Sequence, residues 1–150
     1  MNYGEVLSSF LIDLQRLFRI EICDRDVTYS QVLALVSIPD DGIEMSSLAQ
    51  VLGIDSSTAT RLVIRLEKKG WVRRKHSDLD RRINKVFLTV KGQNTQSKLD
   101  KKIEILGKKI ENEVDVDDRD DLLQALSSFH WTLSKPVSYK HLKLPTILLV

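Results

Sequence analysis

Apolar residues recur along this chain with two different periods, and the points where the period changes mark its elements. Over residues 5–23, Leu7, Leu11, Leu14 and Phe18 fall on one helical stripe, with Phe10 and Leu17 beside it. That stripe is wider than burial against one neighbour requires, which suits a helix wedged between subunits; an ordinary core helix of a monomer is the other reading. Residues 29–37 carry Val32, Leu33, Leu35 and Val36 and predict a second, buried helix, which the Pro39-Asp40-Asp41-Gly42 turn follows. A short amphipathic run (Leu48, Ala49, Val51, Leu52), with Ser46 as its expected cap, stops at Gly53, and another starts at Asp55 with Ala59, Leu62, Val63 and Leu66 at helical intervals. Gly70 ends that helix. The period then drops to two: residues 71–74 begin an extended segment, residues 75–82 form a loop, and residues 83–89 return with Val86 and Leu88 on one side. Ile43 and Glu44 are expected to add a short edge strand. After Gly92 the helical period resumes, with Leu99, Ile103, Leu106 and Ile110, then Leu122, Leu126, Phe129 and Leu133.

A helix, a glycine-bearing turn, a second helix and a basic hairpin together make a winged helix-turn-helix. The fold class expected is mainly α (α+β), with N- and C-terminal helices devoted to dimerisation. Asp55 precedes Ser56, Ser57 and Thr58 and is placed to cap the second helix, whose open face carries Ser56, Ser57, Thr58, Thr60, Arg61 and Arg65. Hydroxyls and guanidinium groups at a helix N-terminus match the base edges and phosphates of a major groove; a solvated helix face is the plainer reading of the same residues. Charge separates the two. From Arg61 to Lys85 there are ten Lys/Arg against three acids (Glu67, Asp78 and Asp80), a local excess of +7 in a chain whose net charge is only +2. Such a patch on a groove-sized helix and an adjoining loop attracts a polyanion by counterion release. Arg73, Arg74, Lys75, Asp80, Arg81 and Arg82 are its candidate wing residues.

Asp80-Arg81-Arg82-Ile83-Asn84-Lys85-Val86-Phe87-Leu88-Thr89-Val90-Lys91-Gly92 resembles the D-x-R-x-x-x-V-x-L-T-x-x-G wing signature of the multiple antibiotic resistance regulator (MarR) family. Residues 48–63 are similar to that family's helix-turn-helix, and the two motifs adjoin in the family's order. The resemblance, extended over roughly residues 5–134 by the flanking helices, implies a homodimer on a pseudo-palindromic duplex. It further implies a repressor released by a small aromatic or anionic effector, or by oxidation. The arginine matching Arg82 is expected to enter the minor groove while the aspartate matching Asp80 holds it. An Asp two residues from an Arg at a β-turn can indeed fix a guanidinium, and narrow minor grooves attract Arg.

The organisation expected is one domain over residues 1–134, with dimerisation helices at about 5–23 and 93–134 and the winged helix-turn-helix at about 30–92. Dimer contacts are assigned to Leu7, Phe10, Leu11, Leu14, Leu122, Leu126 and Phe129. A dimeric reader needs half-sites about one helical turn, roughly 34 to 36 Å, apart, and the long helix after the wing is the expected route of effector control. Seven acids against one Arg over residues 111–121 oppose the wing in sign. Asp117, Asp118, Asp120 and Asp121 are read as first-turn carboxylates favoured by a helix dipole. Residues 135–150 hold two of the three prolines and no acid. They read as a disordered or non-native tail, or as an arm embracing the partner subunit.

Composition narrows the chemistry. The 150 residues, 42% hydrophobic and 29% charged, suffice for one domain with its own core. No charged-then-apolar leader opens the chain, and no run of about 18 apolar residues occurs, so export and membrane insertion are not expected and the cytoplasm is. His76, His130 and His141 are scattered, and no His-x-x-x-His or Cys-x-x-Cys exists, so neither a metal nor another cofactor is expected, and no enzymatic activity. Cys23 is the only cysteine. Peroxide sensing through it is one alternative, although the neighbouring Asp24 should raise its thiol pKa; a winged-helix module that binds protein is the other.

Overall fold

A computed structural model describes residues 1–76 and 78–135. These form two compact units, one ending at Leu106 and the other beginning at Gly107. The elements in chain order are α1 (Tyr3–Glu21), α2 (Tyr29–Ser37), β1 (Ile43–Glu44), α3 (Met45–Leu52), α4 (Ser56–Lys68), β2 (Val72–His76), β3 (Asn84–Leu88), α5 (Val90–Glu113), a single 3-10 turn (Val116–Asp118) and α6 (Arg119–Ser134).

Local capping chemistry fixes most helix starts. Asn2 and Glu5 form a reciprocal capping box on α1, and Thr28 and Gln31 do the same on α2, each satisfying two backbone N–H groups that a helix start leaves open. The expected cap at Ser46 is not used. Strand β1 runs straight into α3, so Glu44, whose backbone pairs with Lys85, is the boundary residue, and its side chain makes no capping bond. Gly53 closes α3 in the left-handed conformation at φ 67°, with its N–H and that of Ile54 both returning to the carbonyl of Ala49.

The core of the first unit joins α2, α3, α4, the sheet and the first part of α5: Val32, Leu35, Leu48, Leu62, Val63, Leu66, Val86 and Leu99 are all buried. The sheet is antiparallel in the order β1-β3-β2, with Ile43 opposite Val86 and Val72 opposite Leu88. Three expectations about burial change. Val51 stands 64% exposed; on so short a helix only Leu48 and Ala49 face inward, with Leu52 half-buried. Leu33 and Val36 are likewise half-buried, because the inward arc of α2 runs through Gln31, Val32, Ala34 and Leu35.

One polar side chain ties α5 to α2. Gln96 Nε2 donates to the carbonyls of Leu35 at 2.7 Å and Ile38 at 2.9 Å where α2 ends, the Leu35 carbonyl also accepting the N–H of Ile38 at 3.4 Å. Truncation removes both bonds and leaves the Ile38 carbonyl half-buried without this partner, so Gln96→Ala should lower unfolding stability by about 1 to 2 kcal/mol. Urea denaturation measures this; an unchanged midpoint would show that the peg contributes nothing.

Within the second unit, Asp115 opens the 3-10 turn by accepting from the N–H of Asp117, while Arg119 Nε donates to the carbonyl of Val114 at 3.0 Å. Asp117 and Asp118 therefore lie in this turn rather than in the first turn of α6, which keeps Asp120 and Asp121. Ile110 is exposed, in contrast to the buried Leu99 and Leu106 of the same expected stripe. The readings of residues 136–150 fall outside the described residues.

Candidate nucleic-acid interface

Helix α4 owes its start to Asp55, whose carboxylate accepts the N–H of Thr58 at 2.7 Å. That bond holds the carboxyl below its ordinary value of 3.8. Ala59, Leu62, Val63 and Leu66 anchor the helix from below. Of the outward candidates, Ser56, Ser57, Arg61 and Arg65 are exposed, whereas Thr58 and Thr60 are half-buried. Thr60 Oγ1 donates to the carbonyl of Ser56, and Arg61 Nη2 donates to Thr58 Oγ1 at 3.3 Å. These two threonine hydroxyls and one Arg61 donor are thus engaged on the helix itself, while Ser56, Ser57, Arg65 and the rest of the Arg61 guanidinium face solvent. Arg61 and Arg65 also border an apolar-floored cleft of about 300 Å³ that includes Leu33 and Ile54.

The hairpin extends one turn of the ladder further than its sequence suggests. Lys75 pairs with Lys85 and His76 with Asn84, so Lys75 and His76 belong to β2 and the connecting loop is shorter than the expected residues 75–82. Arg73 lies over the Phe87 ring at 5.2 Å, and Lys85 approaches the same ring at 5.5 Å. Arg74 is ion-paired: its Nε sits 2.9 Å from Glu67 Oε1, a half-shielded contact joining β2 to the end of α4.

At the hairpin tip Asp80 organises Arg82. One carboxylate oxygen accepts the backbone N–H of Arg82 at 3.0 Å and its Nε at 3.2 Å, while the other accepts Nη2 at 3.2 Å. The Ile83 N–H returns to the Asp80 carbonyl at 3.0 Å and closes the turn. The Arg82 guanidinium and, after it, the Arg82 N–H hold the Asp80 carboxyl below its ordinary value of 3.8. The Arg82 side chain nevertheless remains 91% exposed. It is aimed without being covered. Arg81 is exposed beside it.

The remainder of the motif serves the fold at the base of the hairpin. Thr89 Oγ1 donates to the carbonyl of Gly70 at 2.6 Å and accepts the N–H of Gly92 at 3.0 Å, capping α5 while tying it to the α4–β2 junction. The Thr89 N–H donates to the Trp71 carbonyl at 3.0 Å. Gly92 lies against that same carbonyl: a Cβ there would stand 1.8 Å from the Trp71 oxygen. Glu67, Thr89 and Gly92 were not among the candidate residues. The clue for Glu67 is that it is the sole acid among the cations of residues 61–75.

The profile of the MarR family matches residues 27–83, which take in α2 through the hairpin tip. The HTH-type transcriptional regulator SarZ of Staphylococcus saprophyticus is 33% identical over 107 residues, which cover 69% of this chain and 70% of that protein. The chain belongs to the MarR family. The Escherichia coli transcriptional repressor MprA is 37% identical over 67 residues, 45% of this chain and 38% of MprA. A crystal structure of wild-type MarR from Escherichia coli, in its apo form, shares the fold at a TM-score of 0.77 and 25% identity, covering 86% of this chain and 96% of that one. Two further curated relatives are matched over only 44% and 54% of their length, so the chain spans about half of them.

Elsewhere the candidate residues divide. No residue of α1 is buried: Leu7, Phe10 and Leu14 are exposed and Leu11 is 64% exposed. In α6, Leu122 and Leu126 are exposed and Phe129 is half-buried. Cys23 is half-buried below α1, and its thiol pKa is raised, first by burial, with Arg19 pulling it down and Asp24 pushing it up. A raised thiol pKa leaves little thiolate, which argues against peroxide chemistry. Among the described residues no helix is long and apolar enough to cross a membrane, and no three His, Cys, Asp or Glu side chains gather into a metal site.

Proposed function

We propose that this protein regulates transcription as a homodimer on double-stranded DNA, with α4 of each subunit in the major groove and the hairpin tip in the flanking minor groove. The observation that carries the reading is the Asp80–Arg82 clamp, a guanidinium fixed in direction yet open to solvent, on a hairpin that follows α4 within a run of +7. Minor-groove potential favours such a group, and holding it in advance reduces the ordering entropy lost on binding. Ser56, Ser57, Arg61 and Arg65 are assigned to base edges and phosphates, with Arg73, Lys75 and Arg81 adding backbone attraction. Arg74 is assigned instead to holding β2 on α4. The apolar faces of α1 and α6, carrying Leu7, Phe10, Leu11, Leu14, Leu122, Leu126 and Phe129, are assigned to the twofold contact.

Occupancy of an operator by such a dimer obstructs transcription, in keeping with the name repressor carried by MprA. A small aromatic or anionic effector that favours a different dimer geometry would release it. The test is a fluorescence titration of the protein with duplexes from the DNA flanking its own gene at several salt concentrations. Affinity should fall with a log-log slope of about −0.9 per phosphate contacted. Binding that is absent, or indifferent to salt, would overturn the reading.

A further inference from the structure

Leu79 is out of keeping with its surroundings. It stands 98% exposed at the hairpin tip, outside the hydrophobic core of the first unit, between the exposed Asp78 and the Asp80 that clamps Arg82. Leu79 directly precedes Asp80, whose carboxylate bonds both the backbone and the guanidinium of Arg82, so the leucine belongs to the same hairpin tip as the arginine. A single exposed leucine is ordinary on a protein surface. This one occupies the tip that, on the reading given above, enters the minor groove, and there its chemistry is selective.

At A·T pairs the minor-groove floor presents only the acceptors adenine N3 and thymine O2, whereas G·C adds the N2 amino donor of guanine. An aliphatic side chain against an A·T floor and the adjoining sugars buries apolar surface with no donor beneath it. Against G·C it would cover the guanine amino group and leave an N–H without a partner, a penalty of the size that separates correct from incorrect base pairs. Apolar side chains set into a minor groove are an established means of contact. Arg82 responds to groove width and potential; an apolar neighbour responds to the amino group itself.

We propose that Leu79 is a specificity-determining residue that excludes G·C pairs from the step under the wing by covering the place where the guanine N2 amino group would lie. The inference rests on the DNA-binding reading and adds a sequence preference to it.

The probes are poly(dI-dC) and poly(dG-dC), whose repeating pairs have matching major-groove donors and acceptors and differ in the minor-groove amino group. Competition of the full chain with each polymer gives an affinity ratio in which the contribution of α4 largely cancels. The wild-type protein should prefer the inosine polymer, and Leu79→Ala should reduce that preference by about fivefold or more. Leu79→Met, which keeps an apolar side chain of similar length, should retain it. The salt slope should be the same in all three proteins, because leucine neutralises no phosphate. An equal ratio in wild type and Leu79→Ala overturns the proposal while leaving DNA binding intact. Failure of the wild-type chain to bind either polymer overturns it together with the DNA-binding reading.

Discussion

Replacing Gly92 by alanine is expected to cost about 3 to 5 kcal/mol of folding stability, among the largest effects one methyl group can have. The added Cβ would lie 1.8 Å from the Trp71 carbonyl oxygen and 2.8 Å from its carbon. Neither is the far end of a flexible side chain. Trp71 is buried between the end of α4 and the start of β2, and its carbonyl is already held by the Thr89 N–H. The backbone must therefore part, breaking the Thr89 bonds to Gly70 and Gly92 with it. Thermal unfolding followed by circular dichroism should show a midpoint lower by on the order of 10 °C. A loss of less than about 1 kcal/mol would mean that α5 and β2 are not packed as described.

Arg82→Ala should weaken duplex binding by about 1 to 3 kcal/mol, roughly 5- to 150-fold, at every sequence, and should flatten any preference for narrow A·T grooves. Stability should hardly change, because the Arg82 side chain is almost wholly solvated. That combination distinguishes Arg82 from Arg74, whose removal would disturb the α4–β2 ion pair. Asp80→Asn should reproduce part of the loss by freeing the guanidinium to sample other directions. The pH dependence has a definite sign. The folded-state pKa of Asp80 is depressed, so its hold on Arg82 is complete above the ordinary value of 3.8 and is lost only as pH falls through the lower folded value. Anisotropy titrations near neutral pH should therefore show affinity insensitive to this carboxyl. Unaltered affinity in Arg82→Ala would remove the wing from the interface.

Much of this was legible in the amino-acid order because periodicity and punctuation agree. The glycines at 53 and 70, the cap at Asp55 and the alternation through Val86 and Leu88 each act locally, and each falls at the boundary it signals. The Asp80–Arg82 clamp was legible for the same reason, being made by residues two apart. What was not legible depends on distant chain meeting distant chain. Ser46 looks like a cap until β1 is seen to pair with β3, which leaves Glu44 at the boundary. Arg74 looks like one more cation of the wing until Glu67 claims it. Val51 fits an amphipathic pattern, yet so short a helix presents only part of its apolar residues to the core. The role of Gly92 depends on a carbonyl 21 positions earlier in the chain, which no local pattern encodes.

The twofold use of Thr89 has a mechanical corollary. Its hydroxyl and amide secure the beginning of α5 to Gly70 and Trp71, the very residues through which α4 hands over to the hairpin. A torque applied to the start of α5 is therefore passed directly to the junction that α4 and the hairpin share.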